Sequence, residues 1–343
     1  MKFLHTISLA MATTLFASTV LLAPGLYAAD DTTPVTVKTF TRAESDVAIK
    51  RVHDAVGFNT WFHIRVPTPL DQQNVIRMNR DTIYSSAVLD LSKPVTVTLP
   101  DANGRYMSLQ VVSQDHYSYA VSTPGDYKIT EEKVGTRFAY LIIRTFVDSD
   151  EPEDIAVANK AQDRLVLSGG GDGPLDVPNW NMEQLLEARG ALNTLAKLGG
   201  TSDDALGMKD EVDPIDHLVF GAAGWGGLPK KSAYYELGSV KNNDGTPHSV
   251  TARNVPVDAF WSVTIYNADG FISENTAGVY SFNNVTAKPN KDGSITVNFG
   301  GCDDGRVNCL PLTEGWNYAV RMYEPRPEIL DGSWVFPAIE PVK

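Results

Sequence analysis

A chain of 343 residues is long enough for about two domains, each with its own hydrophobic core. Hydrophobic residues make up 43% and charged residues 21% of it, a globular balance that excludes a disordered chain, a coiled coil and a collagen-like repeat. Its 42 acidic and 29 basic residues give a net charge of -13, which disfavours nucleic acid and anionic membrane surfaces as partners.

Residues 1–29 have the organisation of a secretory signal peptide. Lys2 precedes an apolar stretch from Ile7 to Leu22, and small residues follow at Ala28-Ala29. This stretch is short for a membrane span and lacks a basic flank, so we expect cleavage and no stable membrane insertion afterwards. The later apolar run over 138–147 is interrupted by Arg144. The sequence therefore predicts an exported protein, either periplasmic or secreted.

The two cysteines, Cys302 and Cys309, are close together in the chain, with turn-forming residues between them. In an oxidising compartment this spacing favours a local disulfide. No histidine and no further cysteine lies between 290 and 343, which argues against a metal site there. Neither a metal nor a cofactor is identified by the sequence.

The region 30–150 is predicted to form a β domain with a leading helix. The segment Thr41 to Glu44 has the capping-box pattern, and apolar residues at helical spacing predict a helix over 42–60. Short β-rich runs, separated by turn signals, follow at 82–89, 95–99, 106–112, 117–122 and 137–144. These runs predict antiparallel strands.

A helical connector is predicted over 151–215. One helix is expected over 151–167, ended by a glycine loop at 169–171, and a second over 182–198, ended by Gly199-Gly200.

In 216–343 the β pattern returns, with runs at 250–254, 260–267, 294–299 and 318–323 and Asp-Gly hairpin signals between them. So many short strands favour a sandwich or jelly roll. The predicted fold class is mainly β with a helical connector, in which two antiparallel β domains are present and the C-terminal one is jelly-roll or sandwich-like.

Two sets of segments resemble a known two-domain family. The segment Asn79–Ser85, followed by Leu89–Ser92 and Leu99–Asp101, resembles the signature of the DUF1254 domain. The segments Pro256–Gly270 and Tyr323–Trp334 resemble the DUF1214 domain. The resemblance covers most of the chain that follows the signal peptide, in the order usual for the family.

The resemblance implies two β-rich domains joined by helices, with a jelly-roll-like second domain, in a protein that bacteria usually export. It implies no reaction, so no catalytic residue is carried over from it. Residues within its motifs are candidates for a site.

Several common catalytic motifs are absent from the sequence. There is no Gly-x-Ser-x-Gly elbow, no His-Glu-x-x-His helix and no Gly-x-Gly-x-x-Gly after a strand. These absences disfavour a lipase-type hydrolase, a zincin and a Rossmann enzyme. A triad assembled from distant residues stays open, since it would leave no such pattern.

The polar group that leads into the strand at 82–89 is the first candidate site. Arg80 presents a planar fork suited to a ligand carboxylate, and Asp81 accepts from hydroxyls or acts as a catalytic base. Asn79 and Tyr84 are the neighbouring candidates for ligand binding. The alternative is a structural ion pair of Arg80 with Asp81, or a turn cap, at the strand entry.

A second candidate group combines a histidine with aromatic residues. His116, with Tyr117 beside it, stands between two predicted strands and has the chemistry of an acid, base or metal ligand, although a packed histidine is the alternative. Trp225, in a glycine-rich loop, suits a ligand platform or mobile lid. Strand alternation sends Phe260 and Trp261 to opposite faces, so one of them should face outward or into a domain interface, and Trp261 is retained as a ligand-binding candidate.

Three functional hypotheses follow. The first is an exported protein that binds a small polar molecule or carbohydrate at the domain interface, near Arg80, Asp81, His116 and Trp225. The second is a hydrolase or lyase acting on such a ligand, with Asp81 or His116 as general base and Arg80 holding the developing anion. The third is a structural or homo-oligomeric envelope protein without small-molecule chemistry.

Overall fold

The computed structural model describes residues 31–73, 75–198 and 204–342, so the predicted signal peptide and Gly199-Gly200 lie outside the described residues. The helices in the described ranges are α1 (Phe40–Val56), α2 (Glu131–Val134), α3 (Pro152–Gln162), α4 (Met182–Ala196), α5 (Pro214–Ala223) and α6 (Pro327–Leu330). The strands there are β1 (Phe62–His63), β2 (Thr82–Asp90), β3 (Val95–Leu99), β4 (Met107–Ser113), β5 (Ser118–Val121), β6 (Gly125–Ile129), β7 (Phe138–Phe146), β8 (Val166–Gly169), β9 (Ala233–Gly238), β10 (His248–Ala252), β11 (Trp261–Tyr266), β12 (Ser281–Asn283), β13 (Ile295–Phe299), β14 (Cys309–Leu310), β15 (Asn317–Tyr323) and β16 (Glu340–Pro341).

The N-terminal domain is a sandwich of a five-stranded and a three-stranded sheet. The larger sheet has the order β1-β2-β7-β4-β5 and the smaller one the order β6-β3-β8, all antiparallel. Alternate residues of the facing strands fill the space between the sheets, including Leu89, Val97, Leu109 and Leu141. These apolar residues form the core of the domain.

The opposite face of the five-stranded sheet is covered in part by helices. Ile49 and Val52 of α1 pack on Val88 and Phe138 of the sheet. Helices α4 and α5 in turn lie against α1. This arrangement leaves the other half of that sheet face free to meet the C-terminal domain.

The C-terminal domain is a second sandwich, with sheet orders β14-β13-β10-β16 and β12-β11-β15-β9. All pairs are antiparallel except β13 with β14. Val263, Val297, Phe299 and Val320 are fully buried between the two sheets. A disulfide joins Cys302 to Cys309, as the sequence predicts. The mainly β fold class is confirmed.

Two predicted helix ends differ from the structure. Helix α1 begins at Phe40, so Thr41 and Glu44 lie inside it rather than at a capping box. The Glu44 carboxylate instead receives two hydrogen bonds from Arg189 of α4, at 2.6 and 2.8 Å. The helix predicted over 151–167 ends at Gln162, because 166–169 pairs with β3 as strand β8.

Some elements were not predicted from the sequence, namely β6, β8, β9, β12 and α5. Helix α5 has a clear start signal, since the Asp213 side chain accepts hydrogen bonds from the backbone N–H groups of Ile215 and Asp216 and Pro214 follows it. The boundary predicted between 215 and 216 falls within this helix. No helix of the described ranges combines the length and apolar character needed to cross a bilayer.

Candidate functional site

The face of the five-stranded sheet that is partly covered by helices carries polar side chains in its uncovered part. Tyr84 of β2 is opposite Arg144 of β7, and Arg144 is opposite Ser108 of β4. The Arg144 guanidinium lies 5.8 Å from the centre of the Tyr84 ring. The alternate residues of the same strands form the sandwich core, so strand periodicity itself creates this polar face.

A matching polar face is present on the C-terminal domain. Arg321 of β15 is opposite Tyr235 of β9 on one side and Ser262 of β11 on the other. Their neighbours along the strands, such as Val263 and Val320, point into the second core. The two domains therefore each present a polar sheet face.

The two polar faces meet through hydrogen bonds from the segment before β2. The Asn79 Nδ2 donates to the Tyr323 hydroxyl at 2.9 Å. One Nη of Arg321 donates to the Arg77 carbonyl oxygen at 2.7 Å, and the Tyr266 hydroxyl donates to the Met78 carbonyl oxygen at 2.9 Å. We call the buried groups at this contact the interdomain layer and define it as Asp81, Tyr84, Arg144, Tyr235, Arg321 and Tyr323.

Asp81 is the carboxyl group of the interdomain layer. Its side chain is buried, with 2% of the residue exposed, and burial raises the pKa of the carboxyl, opposed by nearby Ser262 and Arg321. Ser281 donates only a long hydrogen bond, 3.5 Å, to Oδ1. The Oδ2 atom has no hydrogen-bond partner among the described residues. A buried carboxyl with a free oxygen is a frequent feature of functional sites.

Arg144 and Arg321 bring positive charge into the layer, with 7% and 4% of each residue exposed. Arg144 donates to Gln110 Oε1 at 2.7 Å and to the Gly226 carbonyl oxygen at 2.5 Å. Arg321 donates to the Thr264 and Tyr266 hydroxyls at 3.0 and 2.7 Å. Neither forms an ion pair with a carboxylate of the described residues.

Three tyrosines contribute phenol hydroxyls to the layer. Burial raises the pKa values of the Tyr235 and Tyr323 phenols, although the Arg321 cation works in the opposite direction on both. Tyr84 and Tyr235 also retain accessible surface.

His116 lies outside the layer but supports it. The residue has a left-handed backbone, with φ 66°, in the turn between β4 and β5. Its Nε2 accepts a hydrogen bond of 2.8 Å from the Gly226 backbone N–H, and the Gly226 carbonyl holds Arg144. Burial, assisted by His217, lowers the pKa of His116 to about 3, so the ring is neutral near pH 7. Its Nδ1 has no partner among the described residues.

The aromatic candidates Tyr117 and Trp225 surround this histidine. Trp225 stacks on His116 with ring centres 5.6 Å apart, and its indole N–H donates to Ser45 at 3.1 Å. Tyr117 stacks on His217 at 4.6 Å. Both ring nitrogens of His217 contact backbone carbonyl oxygens, at 3.0 and 2.9 Å. These contacts anchor the loop that carries Gly226.

Two other predicted residues lie away from the layer. Arg80 does not pair with Asp81 but donates to the Thr68 carbonyl oxygen at 2.9 Å and lies 5.3 Å from the Tyr280 ring centre. The alternative of a structural Arg80–Asp81 ion pair is wrong, because adjacent residues entering a strand point in different directions.

Trp261 is 4% exposed and packs in the core of the second sandwich. Phe260, its neighbour, contacts Phe146, Tyr106 and Tyr323 at the domain interface. The alternation rule thus correctly sends one of the two aromatics into an interface, and that one is Phe260.

A cleft of about 540 Å³ opens between the domains beside the layer. Tyr106, Phe146 and Phe260 form its aromatic floor, and the Tyr106 ring also touches Tyr323 of the layer at 5.3 Å. Its acidic side chains outnumber its single arginine, and they are Asp101, Asp154, Asp258 and Glu324. The cleft is therefore acidic, in contrast to the layer.

No cluster of three or more potential metal ligands is found within the described residues. His116 and His217 are adjacent, with ring centres 5.5 Å apart, yet Nε2 of His116 and both nitrogens of His217 already have backbone partners.

Sequence reasoning missed Arg144, Arg321, Tyr235 and Tyr323 as site residues. A signal was present for the arginines, since each is the only charged residue of a strand that is mostly apolar or aromatic. A buried cation in such a strand needs partners from elsewhere in the fold. The two tyrosines gave no local signal, because tyrosine is common in strands of every kind.

Two β-sandwiches joined through a helical connector, with a polar layer between them, define a two-domain, mainly β protein. Residues 58–169 match the family DUF1254 and residues 240–327 match the family DUF1214, each described as a protein of unknown function. The chain therefore belongs to the two-domain family that combines DUF1254 with DUF1214, as its motifs predict.

A solved structure has a similar fold. The VPA0106 protein from Vibrio parahaemolyticus is similar with a TM-score of 0.64 and 20% identity, over 89% of this chain and 98% of that one. An uncharacterized protein from Burkholderia cenocepacia has a TM-score of 0.49 and 13% identity, over 89% and 88% of the two chains. No curated protein matches the sequence. The similarity to the Vibrio parahaemolyticus protein supports the fold and indicates no reaction.

Proposed function

We propose that this protein binds a small polar molecule in the interdomain layer. One observation carries the proposal: both domains direct polar side chains into one buried contact, where Asp81 is 2% exposed and its Oδ2 receives no hydrogen bond within 3.5 Å from the described residues. Burying an unpaired polar group costs about 1–3 kcal/mol, and native proteins pair nearly all of them. A polar ligand supplies the missing partner.

This proposal accounts for features that a purely structural interface does not need. Two domains that only adhere to each other do so at lower cost through apolar side chains than through buried arginines and carboxyls. The apolar part of this interface, Phe146, Leu228, Phe260 and their neighbours, already provides such adhesion. The polar layer beside it is better explained by recognition of a ligand.

A hydrolase or lyase is the second candidate, favoured by Asp81 alone. Because burial raises the pKa of this carboxyl above its usual range, it has the character of a general acid or base. His116 is less suited to that role, since its Nε2 lone pair is occupied by the Gly226 N–H. In this enzyme hypothesis Arg144 and Arg321, which line the layer, hold the developing anion instead of Arg80.

The test is a thermal-denaturation panel of sugars, polyols and organic acids. A ligand at one hundred times its Kd stabilises the folded state by about 2.7 kcal/mol, which moves the Tm by a few degrees. A positive compound is then tested with Tyr235→Phe, which removes a hydroxyl from the layer, and with Tyr127→Phe, whose hydroxyl donates to Thr123 outside it. We expect weaker binding only for Tyr235→Phe. A panel without any shift would support a structural envelope role instead.

We also propose that the protein acts outside the cytoplasm. The Cys302–Cys309 disulfide supports this location, since such bonds persist in oxidising compartments. Cell fractionation of the full chain and of a chain lacking residues 1–29 tests it. Export of both forms, or of neither, would contradict the predicted signal peptide.

A further inference from the structure

We infer that the ligand of the interdomain layer carries a carboxylate, which Arg144 and Arg321 bind. The inference rests on the proposed function, because it names the chemical class of the ligand at the same site. It is derived from the charge balance of the layer and from the hydrogen-bonding groups that remain unused there.

The layer has an excess of positive charge. Two arginines face at most one carboxylate, that of Asp81, and neither forms an ion pair with a carboxylate of the described residues. A third arginine, Arg77, adjoins the layer through its carbonyl oxygen and also lacks a hydrogen-bond partner at Nε among the described residues. A buried cation without a counterion is costly, so the balance favours an anion.

The unused donors suit a carboxylate. A guanidinium has five N–H groups in a planar fork, and the hydrogen bonds of Arg144 to Gln110 and Gly226 occupy only part of this set. The Tyr84 and Tyr235 hydroxyls add two further donors from residues that are only partly buried. Arginine forks and phenol hydroxyls together match the two oxygens of a carboxylate.

Other ligand classes fit this balance less well. A neutral sugar supplies hydroxyl partners but leaves the cationic excess uncompensated. An organic cation is repelled by Arg144 and Arg321, and the acidic cleft beside the layer suits it better.

The experiment is isothermal titration of the full chain, in a buffer free of carboxylates, with succinate and with 1,4-butanediol as its uncharged counterpart. Glucose and inorganic phosphate are titrated in parallel. We expect succinate to bind and butanediol to bind at least tenfold more weakly. Binding of glucose or butanediol without succinate would overturn the carboxylate assignment but leave the proposed function intact. Binding of phosphate in preference to succinate would also overturn it.

Arg144→Met is the decisive variant, with Arg326→Met as its control. Arg326 forms an exposed ion pair with Asp258, away from the layer. We expect Arg144→Met to raise the Kd for succinate at least tenfold and Arg326→Met to leave it within twofold. If Arg144→Met does not fold, Tyr84→Phe provides the same comparison, with an expected rise of about threefold to tenfold.

An unchanged Kd in Tyr84→Phe together with a folded, fully binding Arg144→Met would place succinate elsewhere and overturn the inference. Absence of binding by all four compounds would contradict both the inference and the proposed function, since no polar ligand class tested would then occupy the layer.

Discussion

The interdomain layer and the neighbouring cleft are formed by the same two domains, but their charges have opposite signs. The layer is buried and contains two arginines without carboxylate partners, whereas the cleft is open and lined by four acidic residues and one arginine. The aromatic contacts of Tyr106 and Phe260 with Tyr323 lie between them. Two sites of opposite preference can therefore lie side by side in one interface.

The difference also shows how each region is held in place. The cleft residues are fixed by local ion pairs, such as Arg105 with Asp154 and Arg326 with Asp258. The arginines of the layer are held mainly by carbonyl and hydroxyl oxygens, of which the Gly226 carbonyl depends on His116. Carbonyl and hydroxyl oxygens do not neutralise the charge of an arginine, so that charge remains available to a ligand. A carboxylate in an ion pair does neutralise it.

The largest expected effect is a loss of stability in acid that originates at His116. Its pKa is about 3 in the folded protein and 6.5 as the reference value, so the unfolded chain takes up a proton first as the pH falls. The stabilisation is complete above pH 6.5 and is lost progressively towards pH 3, by about 5 kcal/mol in all and about 3 kcal/mol by pH 4.5. Urea unfolding at pH 7.5 and 4.5 measures this loss.

His116→Asn is the comparison for that measurement. The variant is expected to be less stable than the natural protein at pH 7.5, and the gap should narrow at pH 4.5 because asparagine does not titrate. A gap of equal size at both values would contradict a neutral buried histidine.

The next effect concerns the loop that joins His116 to the layer. Gly226 has φ 75°, and an added Cβ would lie 3.0 Å from the Ile142 Cδ1. We expect Gly226→Ala to lower the free energy of unfolding by about 2–3 kcal/mol, through backbone strain and displaced hydrogen bonds. Gly278, with φ 67° and open space around it, provides the matched control. Equal losses in both variants would show strain alone and no contribution from the hydrogen bonds.

A smaller effect is expected in the cleft. Arg105→Met removes the ion pair with Asp154, whose side chains are 14% and 28% exposed, and should cost about 1–2 kcal/mol at pH 7. The hydrogen bond from Arg105 lowers the pKa of Asp154, so this stability is present above pH 3.8 and is lost below it. Urea unfolding should show a smaller difference in unfolding free energy between the natural protein and Arg105→Met at pH 3 than at pH 7. Loss of succinate binding in this variant would link the cleft to the layer.

The smallest effect is expected at Glu324, whose backbone has φ 53°. Its carboxylate forms no ion pair within the described residues, so Glu324→Gln should change stability by less than about 0.5 kcal/mol. The Kd for succinate, measured by titration calorimetry, should stay within twofold. A tenfold gain in succinate affinity would show that the cleft and the layer act as one electrostatic site, against the comparison drawn above.

The parts of the fold that were predicted correctly are those with a strong local pattern. Strand β3 was predicted at 95–99 and lies there, because the buried Val95, Val97 and Leu99 alternate with partly buried threonines between turn signals. Strand β8 was missed because the helix was predicted to continue to 167, whereas this short segment becomes a strand by pairing with the edge of β3.

The candidate site was predicted in part for the same reason. Asn79 and Asp81 were identified because their motif is dense and polar, and the structure places both at the domain interface. Arg144 entered the sequence reasoning only as a charge that interrupts an apolar run. Its role depends on Gln110 and Gly226, which are far from it in the chain.

The sequence by itself determined the mainly β fold class, the family, the local disulfide and the alternation that sends Phe260 and Trp261 to opposite faces. Each of these depends on residues close together in the chain or on a recognisable motif. Only the tertiary structure decided that two polar sheet faces meet and that His116 supports Arg144 through Gly226. Burial and charge balance are properties of contacts between distant segments, so periodicity and spacing do not specify them.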